Sequence, residues 1–226
     1  MTAAARSEVR QELVSRIPTG YSPWVHLTVP SLLALATIAI SLAALRGVEA
    51  WQLALVPLFL VAGNAVEWHA HRGLLHRHVR ILGRLYRAHS LHHRLYVADD
   101  MAMRDRRELK LVLLPWEVFL LPMAVALPVA VALGAAGQPN LAALGLATSA
   151  AHVLAYEGLH LLYHLPLGRL AFRVPFLAAL RHHHALHHSP QLHRFNLNVT
   201  VPLWDLVRGT LWQPGRGAAA ARRASP

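Results

Sequence analysis

Cysteine is absent from the 226 residues, and lysine occurs once, at Lys110. Without thiols there are no disulfides, no thiolate metal sites and no iron–sulfur clusters. Any metal must sit on nitrogen and oxygen ligands, which suit iron, zinc, copper or nickel. Acidic residues are few as well: 11 Asp+Glu stand against 22 Lys+Arg, for a net charge of +11. In a soluble chain that excess would favour nucleic-acid binding. Hydrophobic residues, however, make up 55% of this chain and fall in long runs, which places it in the membrane class. Cytoplasmic loops of membrane proteins collect positive charge. No nucleic-acid partner is expected.

Four apolar stretches approach the roughly 20 residues that a helix needs to cross a bilayer. They run from about Val25 to Leu45, Trp51 to Trp68, Leu109 to Leu133 and Leu141 to Leu162. The third contains Pro115, Pro122 and Pro128, which membrane helices tolerate when neighbours satisfy the freed carbonyls. Arginines crowd the segment from Arg72 to Lys110 and recur at Arg169, Arg173, Arg181 and Arg194, whereas the link 134–140 is uncharged. The positive-inside rule puts both termini and the 72–110 segment in the cytoplasm. Residues 1–24 read as a cytoplasmic segment with a short helix and no signal-peptide core. Residues 25–212 form the membrane domain, and 213–226 a basic, Gly- and Ala-rich disordered tail. From Leu165 to Leu180 the chain is too short and too charged to span and suits an interfacial helix.

The other abundance is histidine, 17 in all, clustered at the cytoplasmic ends of the apolar stretches. His71 and His76 form HX4H; His89, His92 and His93 form HX2HH; His160 and His164 form HX3H; His184, His187 and His188 form a second HX2HH. Residues three and four apart share a helix face, so each triplet is expected to aim three nitrogens at one point. His71 and His76, five apart, are expected to face different directions and to serve different ions. Two triplets and two pairs supply about five nitrogens to each of two metals. His69, His78, His182 and His183 lie outside these spacings, the role of His193 is open, and His26 is expected to face headgroups. Carboxylates near the clusters could offset positive charge and orient the rings: Glu67 four residues before His71, Glu157 three before His160, Asp99 after the second cluster and Asp205 after the fourth. Glu157-x-x-His160 also has the spacing of soluble carboxylate-bridged di-iron bundles, but the further inward glutamates of those proteins are missing.

From Glu67 to Thr210 the chain resembles the fatty acid hydroxylase/sterol desaturase superfamily of integral-membrane, histidine-ligated di-iron oxygenases. The four boxes occur in the family's order. Glu67, Trp68, His71 and Arg72 keep its first pattern, and Asn196-Leu-Asn-Val-Thr-Val-Pro-Leu-Trp-Asp-Leu-Val-Arg-Gly-Thr210 is similar to its closing stretch. Asn198 and Val199 stand where a glycine is usual, and Arg208 where phenylalanine is common. The resemblance implies an all-α integral-membrane fold of about four spans, with a cytosolic helical cap carrying a poly-histidine dimetal site in a bacterial inner membrane. It implies two iron ions on the ten histidines, with Asn196 joining the four carboxylates as a residue of their surroundings; zinc is able to substitute in purified protein. It further implies O2 as co-substrate, a lipid as substrate, and electrons from a separate ferredoxin, cytochrome b5 or reductase, since 226 residues leave no room for a fused redox domain. The expected reaction is hydroxylation of an unactivated C–H bond, the alternative being desaturation. A histidine-rich metal transporter would place its ligands near the bilayer midplane, and a di-haem cytochrome would leave the HX2HH triplets unexplained.

Overall fold

A computed structural model of the chain describes residues 2–115, 119–166 and 173–214. Helices dominate these residues, and the only sheet-like pairing among them is an isolated bridge between Val97 and Asp100. Helix α1 (Ala3–Ser15) starts at Thr2, whose hydroxyl accepts from the Ala5 N–H. Helix α2 (Pro23–Ala43) starts at Ser22, with a proline preset for the first turn. Helices α3 (Ala50–Ala54) and α4 (Val56–Ala70) are divided at Leu55, where Pro57 removes a backbone donor, and α4 continues into a π-turn at His71–Leu75. Helix α5 (Gly83–Leu95) carries the second histidine cluster, and α6 (Leu109–Val112) is a single turn. Helices α7 (Leu120–Ala135) and α8 (Pro139–His164) follow, then α9 (Pro175–His187), which carries the fourth cluster, and α10 (Leu203–Arg208).

Helix α8 is the central pillar, packed against α7, α2 and α4. Where α2 meets α8, buried Ala34 and Ala150 leave room for close approach. The outward faces of α2, α4 and α7 are apolar and exposed, among them Leu32, Leu35, Ile40, Leu58, Leu60, Val125 and Val131. Apolar surface on this scale marks contact with lipid or a partner. Two helical stretches are long and apolar enough to cross a bilayer, Pro23–Ala43 with mean hydropathy 1.9 and Ala50–Leu75 with 1.4. Leu120–Ala135 is equally apolar but shorter, and α8 is long but carries His152, Glu157, His160 and His164.

The expected third span, from Leu109, is corrected. Residues 109–112 form the separate, buried turn α6, and Leu113 turns extended two residues ahead of Pro115. The apolar character of this segment serves a core beneath the histidines, with Leu95, Tyr96, Met101 and Met103. Part of the segment expected at the membrane interface, residues 167–172, lies outside the described residues; from Pro175 the chain is already in α9. The expected disordered tail, 213–226, lies outside them from residue 215 on.

Helix α1 is held under this core by Arg10. Its guanidinium bonds the Glu108 carboxylate at 2.6 Å and the carbonyls of Ala102 and Leu95, while the Tyr96 hydroxyl donates to the same carboxylate at 2.7 Å.

Candidate metal centre

The ten clustered histidines meet in two groups of five. One comprises His71, His76, His89, His93 and His187; the other comprises His92, His160, His164, His184 and His188. Within each group one ring nitrogen per residue lies within 4.8 Å of all the others. Eight of the ten rings are buried to 3% exposure or less, and His93 is at 8%.

Two expectations are corrected by this sorting. His71 and His76 share a group, because the intervening π-turn, closed by an i→i+5 bond from the His76 N–H to the His71 carbonyl, brings residues five apart onto one face. The triplets do not converge on single points. His89 and His93 join one group and His92 the other; likewise His184 and His188 separate from His187. Each group therefore holds one pair at the C-terminal end of α4 or α8, one i,i+4 pair from α5 or α9, and one ring lent by the other of those two helices.

Five Nδ1 atoms are bonded to backbone carbonyls: His71 to Leu197, His187 to Phe195 at 2.8 Å, His92 to Leu111 at 2.9 Å, His164 to Met101 at 2.7 Å and His188 to Tyr96 at 2.7 Å. A neutral ring that donates through Nδ1 presents a bare lone pair at Nε2. Those lone pairs converge. The Nε2 of His89 lies 3.0 Å from that of His71, 3.1 Å from that of His76 and 3.0 Å from that of His93, too many neighbours for one proton. In the second group the His184 Nε2 faces those of His164 at 3.3 Å and His188 at 3.1 Å, both of whose Nδ1 protons are already committed. Converging lone pairs repel unless a cation sits among them. Two nitrogens at right angles and about 2.1 Å from an ion lie about 3.0 Å apart. The nitrogen-only donor set thus fits a divalent transition ion, and each group could hold one.

Electrostatics agrees with that fit. Burial pushes His89, His92, His93, His184, His187 and His188 well below the ordinary imidazole range, and repulsion from neighbouring rings adds to it. Burial takes His76 down to about 2. Neutral imidazole is the form that ligates metal.

The carboxylates act one step further out than expected. Asp205, fully buried, accepts from the N–H of Leu197 at 3.0 Å and of Asn198 at 2.8 Å, and from the Thr210 hydroxyl at 2.6 Å. Burial alone would raise its carboxyl, but hydrogen bonds from Thr210 and the two amides, with the His183 ring nearby at 3.4 Å, hold it below the usual range. Glu67 takes up the next two amides, Val199 and Thr200, together with the Thr200 hydroxyl and the His152 ring at 2.9 Å. Two side chains thus pin four successive backbone N–H groups of the closing loop, whose Phe195 and Leu197 carbonyls orient His187 and His71. Asn196 takes the loop's positive φ of 55° and bonds the His183 carbonyl and the Trp212 N–H. Asn198 fills the usual glycine position by bonding the Asn64 carbonyl and the Asp205 N–H. Arg208 lies over the Trp68 ring, 5.4 Å from its centroid. Glu157 lines the cavity described below, and Asp99 is exposed, at the rim of a separate cleft.

Outside the groups, His69 packs edge-on to Trp68, His78 packs on Tyr86, His182 is exposed and His183 faces Asp205. His193 stands beside the first group, its ring 4.9 Å from that of His93. His26, expected to face headgroups, instead bonds Tyr21 and the Leu114 carbonyl, tying α2 to the segment after α6. The sequence reading missed His152, Arg10 and Glu108. No spacing in the sequence links them to the site; in the fold, α4 approaches the first so closely that a Cβ on Gly63 would meet the His152 ring at 3.2 Å.

A cavity of about 740 Å³ lies between α4, α7 and α8, walled by Phe59, Val66, Leu74, Val125, Val129 and Leu133, and it reaches His71. A polar cleft of about 640 Å³ touches the same group from the other side through His76, His89 and His93, with Arg6, Arg94 and Asp99 around it. No histidine of the second group lines either space.

A model of the fatty acid hydroxylase family matches residues 56–210, more than half of the chain. No curated protein and no solved structure matches it.

Proposed function

The chain belongs to the fatty acid hydroxylase family, and on that premise we propose that it is an O2-dependent di-iron oxygenase that hydroxylates an unactivated C–H bond of a lipid, a fatty acyl or related chain. The observation that carries this reading is the meeting of an apolar cavity with a five-nitrogen group at His71. The volume suits a lipid tail, since ligand pockets span roughly 300–1,000 Å³.

The ten imidazoles would hold two iron ions, five nitrogens to each. Bound iron would supply the redox activation of O2 that no side chain provides. The chain's own residues do the rest. Phe59, Val66, Val125 and Val129 grip an alkyl chain and keep water out of the reacting end. The five Nδ1–carbonyl bonds fix ring orientation before any ligand binds. Asp205 and Glu67 hold the loop that supplies two of those carbonyls. In the membrane, α2, α3–α4, α7 and α8 cross the bilayer, while α5, α6, α9 and α10 form a cytoplasmic cap, with both termini on that side as the arginine distribution requires. Electrons come from a separate ferredoxin, cytochrome b5 or reductase.

The test is mass spectrometry of total lipids from cells expressing the intact chain or His92→Ala, grown under heavy oxygen with an electron-donor system. A lipid gaining one heavy oxygen atom only with the intact chain is the expected result. A lipid losing two hydrogens instead would replace hydroxylation with desaturation. Metal flux into liposomes without any lipid change would overturn the oxygenase reading.

A further inference from the structure

The two histidine groups differ in what holds their orienting carbonyls. Those of the first group sit on the closing loop pinned by Asp205 and Glu67. Those of the second, Tyr96, Met101 and Leu111, lie on the stretch from the end of α5 into α6. From Tyr96 to Asp105 that stretch has no helix, and its only regular pairing is the Val97–Asp100 bridge. Such backbone orients a ring only where something else fixes it. Arg10 reaches it from α1. Its guanidinium donates to the carbonyl of Leu95 at 3.4 Å, one residue before Tyr96, and to that of Ala102 at 3.2 Å, one residue after Met101. It pairs with Glu108 at 2.6 Å, three residues before Leu111, and lies 5.0 Å from the centroid of the Tyr96 ring. Every carbonyl that orients the second group thus has a close chain neighbour tied to this one side chain. The Tyr96 ring in turn packs against His92 and His164, at centroid distances of 5.1 and 4.8 Å. Arg10 is buried, and Val9 and Leu13 seat the same helix on the cluster that contains Leu95, Tyr96 and Met101.

We propose that Arg10 is the positioning residue of the second histidine group, and that helix α1 thereby sets the metal affinity of that group without touching the first. This rests on the metal-centre reading for the ion, whereas the ties themselves are within the chain. A planar guanidinium carries five donors in a fixed fork, so one side chain serves a carboxylate and two carbonyls together. Removing the outer partners of metal-ligating histidines typically costs 10–100-fold in affinity. Arg10 alone is a poor substitution for the test, because a buried carboxylate left unpaired destabilises the whole chain. Arg10→Met combined with Glu108→Gln removes both charges together. The glutamine keeps an acceptor for the Tyr96 hydroxyl, and the ties to Leu95 and Ala102 are lost.

Zinc binding by the full chain in lipid nanodiscs, titrated against graded chelator, tests this in two backgrounds. His71→Ala with His76→Ala leaves only the second group whole, and His92→Ala with His160→Ala leaves only the first. Adding the Arg10→Met and Glu108→Gln pair is expected to weaken zinc about 10–100-fold in the first background and to leave it within about twofold in the second. A merely structural role would weaken both alike. Hydrogen exchange in the metal-free chain is a second readout that needs no ion. The Asp100 and Met103 amides, bonded to the carbonyls of Val97 and His164, should exchange about tenfold faster in the pair variant. The Asn198 and Val199 amides of the closing loop should keep their protection. Equal weakening in both backgrounds, undiminished zinc affinity in the first, or unchanged exchange at Asp100 and Met103 would overturn the proposal alone. A wild-type chain that takes up no zinc would overturn the metal-centre reading and this proposal with it.

Discussion

Replacing Asp205 by asparagine separates the two metal groups. The wild-type carboxylate uses one oxygen for the Leu197 N–H and the Thr210 hydroxyl and the other for the Asn198 N–H. An amide of the same shape keeps one acceptor and turns an NH2 toward a backbone N–H. That leaves one buried N–H unpaired, at about 1–3 kcal/mol, and weakens the remaining charge-assisted bonds by about 1 kcal/mol each. The loosened loop carries the carbonyls of Phe195 and Leu197, which orient His187 and His71, both in the first group. The carbonyls orienting the second group come from Tyr96, Met101 and Leu111, which Asp205 does not touch. Losing such support typically costs 10–100-fold in metal affinity. Elemental analysis after equilibration with graded chelator should therefore find a window where wild-type protein keeps two ions and Asp205→Asn keeps one. Simultaneous loss of both ions, or of neither, would refute the assignment of this loop to the first group alone. The pH dependence has a definite sign. The Asp205 carboxyl is held below its ordinary value, so its stabilisation is complete above about pH 4 and fades as pH falls through the folded value. The stability gap between wild type and variant should be flat near neutrality and close in acid.

His92→Ala combined with His160→Ala strips one group and should leave one ion bound, whereas His92→Ala combined with His93→Ala damages both groups and should leave neither; metal counting distinguishes the pairs. Gly63→Ala drives a methyl group to 3.2 Å from the His152 ring. Such overpacking costs about 1–3 kcal/mol, against about 1 kcal/mol gained because alanine favours a helix interior over glycine; a midpoint of thermal unfolding that is unchanged or lower is expected, and a raised one would show that the His152 ring yields. Arg10→Ala leaves the buried Glu108 without its cation. Breaking a buried pair costs about 3–5 kcal/mol, and Arg10→Ala with Glu108→Gln should recover part of that in the same unfolding assay.

Much of the site was legible because metal chemistry demands a residue type that little else explains in an apolar chain. All ten clustered histidines fall into the two groups. The apolar helices were legible from hydropathy, with α2 and α8 beginning and ending within a few residues of expectation. What failed to show was anything joined across long sequence separations without periodicity. Arg10 and Glu108 are 98 residues apart, and Glu67 reaches Val199 across 132. Nor does hydropathy distinguish a lipid-facing run from a buried one, which is why the run from Leu109 reads as part of a span although Leu109, Val112 and Leu113 pack with Leu95, Tyr96 and Met101.

The division of each triplet, by contrast, was present in the sequence and follows from helix angle. A helix turns about 100° per residue. His93 therefore lies about 40° from His89, whereas His92 lies about 60° to the other side and about 100° from His93. One ion can take the 40° pair, but the middle histidine must point past it. His187 stands in the same relation to His184 and His188. Two such helices facing each other complete both groups by exchanging their odd rings, so neither group can form unless α5 and α9 are both docked. The HX2HH spacing thus encodes a bridge between two ligand groups rather than a clasp on one. A single substitution at His92 or His187 should accordingly empty the group on the far helix pair while sparing the one its neighbours serve.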